Sequence, residues 1–313
     1  MTRIGCIGEC MIELREEAGG RLSRGYGGDT LNTALYMARL GASVDYATAL
    51  GDDPWSDEMI ASWQAEGIGT DLVVRVPGRL PGLYVVQTDA SGERRFSYWR
   101  DSAAARLLFE LPETSAICDP LAGYDLPYCS GITLSLYGET GRQRLFETLD
   151  RARQKGCRVA FDTNFRPRGW SDRGTAQDAY RSAFERADIV LASVEDLDLL
   201  FGREGEGKVF GLSASAEIIL KLPDLACRVV SRDIDLVVRA DPVARVVDTT
   251  AAGDSFAAAY LASRLAGADP AIAAAAGHRL AGIVVGYPGA IIPREGMPAT
   301  TTSKALPLKE NDP

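Results

Sequence analysis

Residues 158–192 read RVAFDTNFRPRGWSDRGTAQDAYRSAFERADIVLA. An apolar run from Arg158 to Thr163 gives way to polar residues, a stretch over about 175–187 has its alanines at helical spacing, and a second apolar run follows from Asp188 to Ala192. Strand, helix and strand in that order favour parallel strands joined by a crossover helix. The same alternation extends in both directions. Ile4 to Gly8, Ser43 to Leu50, Tyr124 to Ser130 and Ala216 to Leu220 read as further strands, and helical spacing covers about 29–40, 53–66, 139–156, 254–266 and 271–286. Gly41, Gly67, Gly156 and Gly267 follow four of the helical runs, where a left-handed residue closes a helix. The expected fold class is α/β.

One region breaks the alternation. From Gly82 to Arg100 two β-rich runs flank Asp89-Ala90-Ser91-Gly92, a turn signal, so a hairpin over about 80–101 is inserted in the α/β chain. Strand alternation places Tyr98 and Arg100 on one face of it. No internal repeat or low-complexity linker divides the sequence, which is therefore read as a single domain over 1–313, with a polar tail from about residue 300 expected to fray.

The chain of 313 residues is 46% hydrophobic and 25% charged, a composition that excludes disorder, collagen and coiled coil. A chain of this size can bury about three quarters of its surface. No apolar run approaches the ~20 residues that cross a bilayer, and Met1-Thr2-Arg3-Ile4-Gly5-Cys6 reads as a strand, so a cytoplasmic protein is expected. With 34 basic and 43 acidic residues the net charge is −9, which argues against a sequence-independent grip on nucleic acid or an anionic membrane. An anionic small substrate would need locally placed cations. The six cysteines form no Cys-x-x-Cys pair and His278 is the only histidine, so neither disulfides nor zinc are expected.

Three stretches carry candidate chemistry. In Asp248-Thr249-Thr250-Ala251-Ala252-Gly253-Asp254-Ser255-Phe256, small residues precede an alanine-rich helix with an acid in its first turn. Free amides and the positive end of the dipole make such a terminus an anion site, and Asp254 there either takes a proton from an attacking hydroxyl or only caps the helix. In Gly27-Gly28-Asp29-Thr30-Leu31-Asn32, a glycine turn opens a helix whose Asp29 and Asn32 share a face; the pair either bonds sugar hydroxyls or marks a routine helix start. In Phe161-Asp162-Thr163-Asn164-Phe165-Arg166, polar residues fall at the C-terminal end of a buried strand, where open α/β sheets bind ligands; Arg166 either chelates a carboxylate or forms a surface ion pair.

Together these residues resemble the ribokinase-like (PfkB) family of sugar kinases over nearly the whole chain. Gly27 to Ala34, Leu40-Gly41-Ala42 and Gly51-Asp52-Asp53 are similar to its N-terminal signature, and Asp248 to Phe256 to its C-terminal one, with Ala251 where many members have glycine. Gly8 to Leu14, Tyr98-Trp99-Arg100, Asp162 to Pro167 and Pro288 to Pro293 resemble in particular the members that act on 2-keto-3-deoxygluconate. The resemblance implies a three-layer α/β/α sandwich with a mainly parallel central sheet and a small β lid, built from about 80–101 with part of about 9–26. It implies ATP-dependent phosphorylation of the 6-hydroxyl of that sugar acid. Asp254 would be the base, and the amides of Ala251, Ala252 and Gly253 the anion hole. Gly28, Asp29 and Asn32 would contact the sugar, while Tyr84, Tyr98, Arg100 and Arg166 would hold its acid end. Asp162, Asn164, Ser193, Lys221 and Gly253 would lie toward ATP. Mg²⁺ would arrive with ATP, Asp248 and Thr250 sit where relatives hold a monovalent cation such as K⁺, and lid strands of the family pair across a homo-oligomer.

Two departures from the family pattern stand out. The segment Leu222-Pro223-Asp224-Leu225-Ala226 lacks the glycines expected beside the ATP phosphates, and Ser193 and Asp196 replace an Asn-x-x-Glu pair. Two alternatives therefore stay open: a kinase of another sugar, such as fructose or a related deoxy-sugar acid, and a non-catalytic sugar-acid binding protein with a degraded ATP site.

Overall fold

The computed structural model describes residues 2–17, 19–88 and 94–298. The expected turn at 89–92 and the tail from about 300 lie outside them. The strands are β1 (Arg3–Ile7), β2 (Met11–Glu16), β3 (Leu22–Gly27), β4 (Ser43–Leu50), β5 (Val73–Arg75), β6 (Leu83–Thr88), β7 (Arg94–Trp99), β8 (Leu126–Ser130), β9 (Ala160–Asp162), β10 (Ile189–Ser193), β11 (Glu217–Leu222), β12 (Ala226–Ser231) and β13 (Ile234–Arg239). The helices are α1 (Asp29–Arg39), α2 (Pro54–Ala65), α3 (Thr114–Leu121), α4 (Gly131–Leu136), α5 (Glu139–Gln154), α6 (Arg173–Phe184), α7 (Val194–Phe201), α8 (Gly205–Leu212), α9 (Ala252–Leu265) and α10 (Pro270–Val284).

The large sheet has the order β13-β12-β11-β10-β9-β8-β1-β4-β5. Its members from β11 to β5 pair in parallel, and β11-β12-β13 form an antiparallel edge. Two buried apolar clusters flank it. One joins Leu31, Leu35 and Met37 of α1 to Phe256, Tyr260 and Leu261 of α9 and to Leu280 of α10; the other joins Leu145 and Leu149 of α5 to Tyr180 and Phe184 of α6. Helices on both faces of a mainly parallel sheet make the three-layer sandwich. Helix ends follow local chemistry. Asp53 and Asp172 cap α2 and α6 by accepting from the amides of Trp55 and Thr175, and Gly41, Gly67, Gly156 and Gly267 take φ of +90°, +81°, +85° and +88° as their positions require.

A second sheet, β3-β2-β6-β7, stands apart from the first. Tyr84 pairs with Tyr98 and Val86 with Phe96 across the β6–β7 hairpin, while β2 runs parallel to β6 and antiparallel to β3. Met11, Tyr84 and Val86 form its own small apolar cluster with Phe96 packed against it.

Three boundaries differ from expectation for local reasons. The strand expected at Arg158 to Thr163 contracts to Ala160–Asp162, because Asp162 Oδ1 accepts the Asn164 amide at 3.1 Å and turns the chain, with Asn164 at φ +25°. Strands β12 and β13 continue the sheet past Leu220. The turn between β11 and β12 closes without glycine: Leu225 adopts φ +54°, and its carbonyl accepts the Ala240 amide at 2.8 Å.

Candidate active site

The carboxyl ends of the parallel strands, the N-termini of α1 and α9 and the inner wall of the small sheet enclose a cavity of about 2010 Å³. A pocket for one drug-sized ligand is typically ~300–1,000 Å³, so this volume suits two ligands side by side. Among the residues lining it are Gly28, Asp29, Asn32, Tyr84, Tyr98, Arg100, Asp162, Asn164, Arg166, Ser193, Lys221 and the run from Thr249 to Asp254. Asp248 lies behind that wall, buried.

Asp254 occupies the first turn of α9, but the N-cap, Ala251, makes no side-chain cap bond. The Asp254 carboxylate instead accepts from Asn32 Nδ2 at 2.8 Å, across the α1–α9 contact that Thr33 Oγ1 reinforces by donating to the Asp254 carbonyl at 3.3 Å. The Asn32 partner of this carboxylate is thus on α1 and not an amide of its own helix. Burial, followed by the like charge of Asp29, pushes the Asp254 carboxyl up to about 8, with Asn32 opposing. Asp29 does not cap α1 either: the N-cap is Gly28, and Asp29 Oδ2 accepts from Asn164 Nδ2 at 2.8 Å. Asn164 therefore stands on the Asp29 side of the cavity rather than apart from it. Gly28 is required by close approach, since a Cβ there would meet the Glu9 carbonyl at 2.1 Å.

At the mouth of α9, the Ala252 amide already donates to the Thr249 carbonyl at 3.2 Å. The expectation that Ala252 offers a free amide is corrected: helix geometry leaves Gly253 and Asp254 as the unpaired donors of the first turn. Ala251 reaches this turn at φ +60°, a left-handed conformation that glycine adopts more easily. Asp248 braces the loop, with Oδ1 accepting from the Thr250 amide at 2.7 Å and Oδ2 from the Gly289 amide at 2.8 Å.

Lys221, at the end of β11, sits 3.4 Å from Asp162 Oδ2, and a Cβ on Gly253 would lie 3.5 Å from its Nζ. Burial raises the Asp162 carboxyl above the usual range while Lys221 pulls it down. Ser193 caps α7 by accepting the Asp196 amide at 3.1 Å; Asp196 in turn accepts from Thr163 Oγ1 at 2.8 Å and lies 3.5 Å from Arg166 Nη1.

The opposite wall carries the other cations. Arg100, just past β7, forms an ion pair with Glu9, whose side chain is 1% exposed. Arg166 is 60% exposed on the facing loop. Tyr98 is half exposed and stacks on Phe96 at 6.3 Å between centroids. Tyr84 lines the cavity, but its hydroxyl donates to Glu13 Oε2 at 2.5 Å, and Glu13 is held by Arg15 at 2.8 Å. Arg95, Arg106, Arg168 and Glu9 also line the cavity and were missed by sequence reasoning. Glu9 had a usable signal, since it follows an apolar strand directly at the crevice end. Arg168 had one as well, two residues beyond Arg166 on the same loop.

Among the described residues no cluster of three or more histidine, cysteine, aspartate or glutamate side chains forms a metal cage. Cys6, Cys10, Cys118, Cys129 and Cys227 are buried, and His278 packs edge-on against Phe256 at 5.0 Å.

An acid beside open helix amides, in a cavity roomy enough for two ligands on an α/β sandwich, suits transfer of a phosphoryl group from one small molecule to another. The model of the pfkB family of carbohydrate kinases matches residues 1–296, and the chain belongs to that family. It is 45% identical over 306 residues to the 2-dehydro-3-deoxygluconokinase of Dickeya dadantii (95% of this chain, 98% of the relative). It is 43% identical over 307 residues to the enzyme of the same name from Escherichia coli K12 (95% and 99%). A putative ribokinase II from E. coli, solved with ATP and Mg²⁺, superposes with a TM-score of 0.80 at 22% identity, covering 95% of this chain and 96% of that one, and shares the fold.

Proposed function

We propose that the protein transfers the γ-phosphoryl group of ATP to the 6-hydroxyl of 2-dehydro-3-deoxygluconate (2-keto-3-deoxygluconate), giving the 6-phosphate and ADP. The observation that carries this reading is one cavity holding Asp254 beside the mouth of α9 and arginines on its walls, Arg100 and Arg166 among them. A protein of net charge −9 places these cations where a sugar acid needs them and a neutral sugar does not. The kinship with two 2-dehydro-3-deoxygluconokinases supports the same substrate.

In this reading Asn32 holds Asp254 Oδ2, leaving Oδ1 to accept the proton of the 6-hydroxyl as its oxygen bonds to the γ-phosphorus and the bond to the β-phosphate breaks. The raised basicity of the Asp254 carboxylate favours that transfer. The amides of Gly253 and Asp254, with Lys221, face the charge gathering on the transferred group. Asp29 and Asn32 orient the sugar, while Arg100, Arg166 and Tyr98 take its carboxylate, a bidentate match for a guanidinium. Mg²⁺ fits as a partner of ATP: Asp162 and Asp196 offer one or two carboxylates where such ions keep phosphate and water ligands, and it would supply charge neutralisation of the phosphates. We assign K⁺ to the loop braced by Asp248 and Thr250. The position of Lys221 beside Gly253 supports a working ATP site and weighs against the binding-protein alternative.

The small sheet would serve as the lid, and its open edge strand β7, with Trp99 62% exposed, as a contact between copies. We place the protein in the cytoplasm, where ATP is supplied. Rates with 2-dehydro-3-deoxygluconate, its galactonate-derived epimer and fructose, with the phosphorylated carbon identified by NMR, test the reading. Preferred use of a sugar acid with phosphate on carbon 6 is expected; equal use of fructose would overturn the substrate assignment.

A further inference from the structure

Glu9 lies in the crossing from β1 of the large sheet to β2 of the small one, and Arg100 lies just past the far strand of that small sheet. Their ion pair ties the two sheets together at the cavity. A buried ion pair stabilises a fold no better than apolar side chains of similar size, so an acid enclosed at a ligand cavity is better explained by what it does to its partner. Neither Glu9 oxygen has an aligned hydrogen-bond partner among the described residues, so Arg100 is the charge that compensates it at contact distance. Arg100 is itself 19% exposed, against 60% for Arg166, whose Nη1 donates to the Phe165 carbonyl at 2.8 Å and lies 3.5 Å from Asp196, so Arg100 is the more enclosed of these two guanidiniums.

We infer that Glu9 is a positioning residue that fixes the Arg100 guanidinium in the orientation from which it receives the substrate carboxylate. The inference rests on the sugar-acid reading above. Fixing a long side chain before binding removes ordering entropy from the binding step. Gly82 makes the arrangement possible. A Cβ there would come 2.7 Å from Glu9 Oε1, 2.9 Å from Met11 Cγ and 3.1 Å from Arg100 Cβ, while the Gly82 carbonyl accepts the Ile12 amide at 2.8 Å and pins the backbone. A methyl group at residue 82 would therefore displace the Glu9 side chain and leave both charges in the protein.

The test compares wild type, Glu9→Gln and Gly82→Ala, using kcat and KM for 2-dehydro-3-deoxygluconate, for fructose and for ATP. Where fructose turns over too slowly, its inhibition constant against the acid takes the place of its KM. The expected result is a KM for the acid raised about tenfold in both variants, with kcat, the fructose constant and the ATP KM close to wild type. An acid KM within twofold of wild type in either folded variant, or an equal rise for acid and fructose, overturns the inference. Should Glu9→Gln fail to fold, Gly82→Ala decides by the same criteria. Wild type that does not favour the acid defeats the substrate reading and this inference together; wild type that favours it, with variants that favour it equally, defeats the inference alone.

Discussion

The two walls of the cavity handle charge in opposite ways. On the small-sheet side several arginines have a stationed carboxylate: Arg100 with Glu9, Arg15 with Glu13 at 2.8 Å, and Arg24 with Glu58 of α2 at 2.5 Å while stacked 4.5 Å over Trp55. On the large-sheet side Asp29, Asp162 and Asp254 stand near one another with Lys221 3.4 Å from Asp162, and burial plus mutual repulsion raise the carboxyls of Asp162 and Asp254. Paired charges fix geometry, which is what recognition needs. Crowded like charges store basicity, which proton transfer needs.

The sharpest way to break the contrast is to remove one member of each kind. Arg100→Ala leaves Glu9 buried and unpaired, and a loss of about 3–5 kcal/mol in unfolding free energy is expected from denaturant titration. Arg166→Ala, at an exposed and loosely paired position, should change stability by less than about 1 kcal/mol while raising KM for the sugar acid about tenfold. Equal stability losses would erase the distinction between the two arginines.

On the crowded wall, Asp29→Asn removes the neighbouring charge that raises the Asp254 carboxyl, so the acidic limb of the kcat/KM profile should move to lower pH. A limb that stays in place would show that burial alone sets Asp254. The same residue makes a stability prediction. A carboxyl held near 8 when folded, above its unfolded value, favours the fold below about pH 4 and loses that contribution as pH rises through 8. Asp254→Asn should therefore melt like wild type at pH 4 and higher than wild type at pH 8.5, read by calorimetry. The smallest effect concerns Leu225, whose left-handed conformation costs roughly 1 kcal/mol; Leu225→Gly should raise stability by up to about that amount.

Much of this architecture is legible in the sequence because it is local. Strand and helix alternation, glycines after helices, the hairpin of β6 and β7 and the small residues before α9 are read within a few positions of one another. What the sequence leaves hidden is pairing over distance. Asn164 meets Asp29 from 135 positions away, and Asn32 meets Asp254 from 222. Glu9 reaches Arg100 only because β2, β6 and β7 lie side by side, so the residue types are visible but the ladder that joins them is not. Strands β12 and β13 were hidden for another reason: the turn that leads into them from β11 lacks glycine and proceeds through Leu225 in a conformation few leucines adopt.

In the proposed reaction the sugar's primary alcohol lies between Asp254 and the open amides of α9. Phosphoryl transfer from ATP to 2-dehydro-3-deoxygluconate by wild type and Asp254→Asn, measured side by side, tests it most directly. A kcat lower by about 10²–10⁴ is expected in the variant, with KM for the sugar acid within about threefold. A variant retaining more than a tenth of the wild-type rate would contradict it.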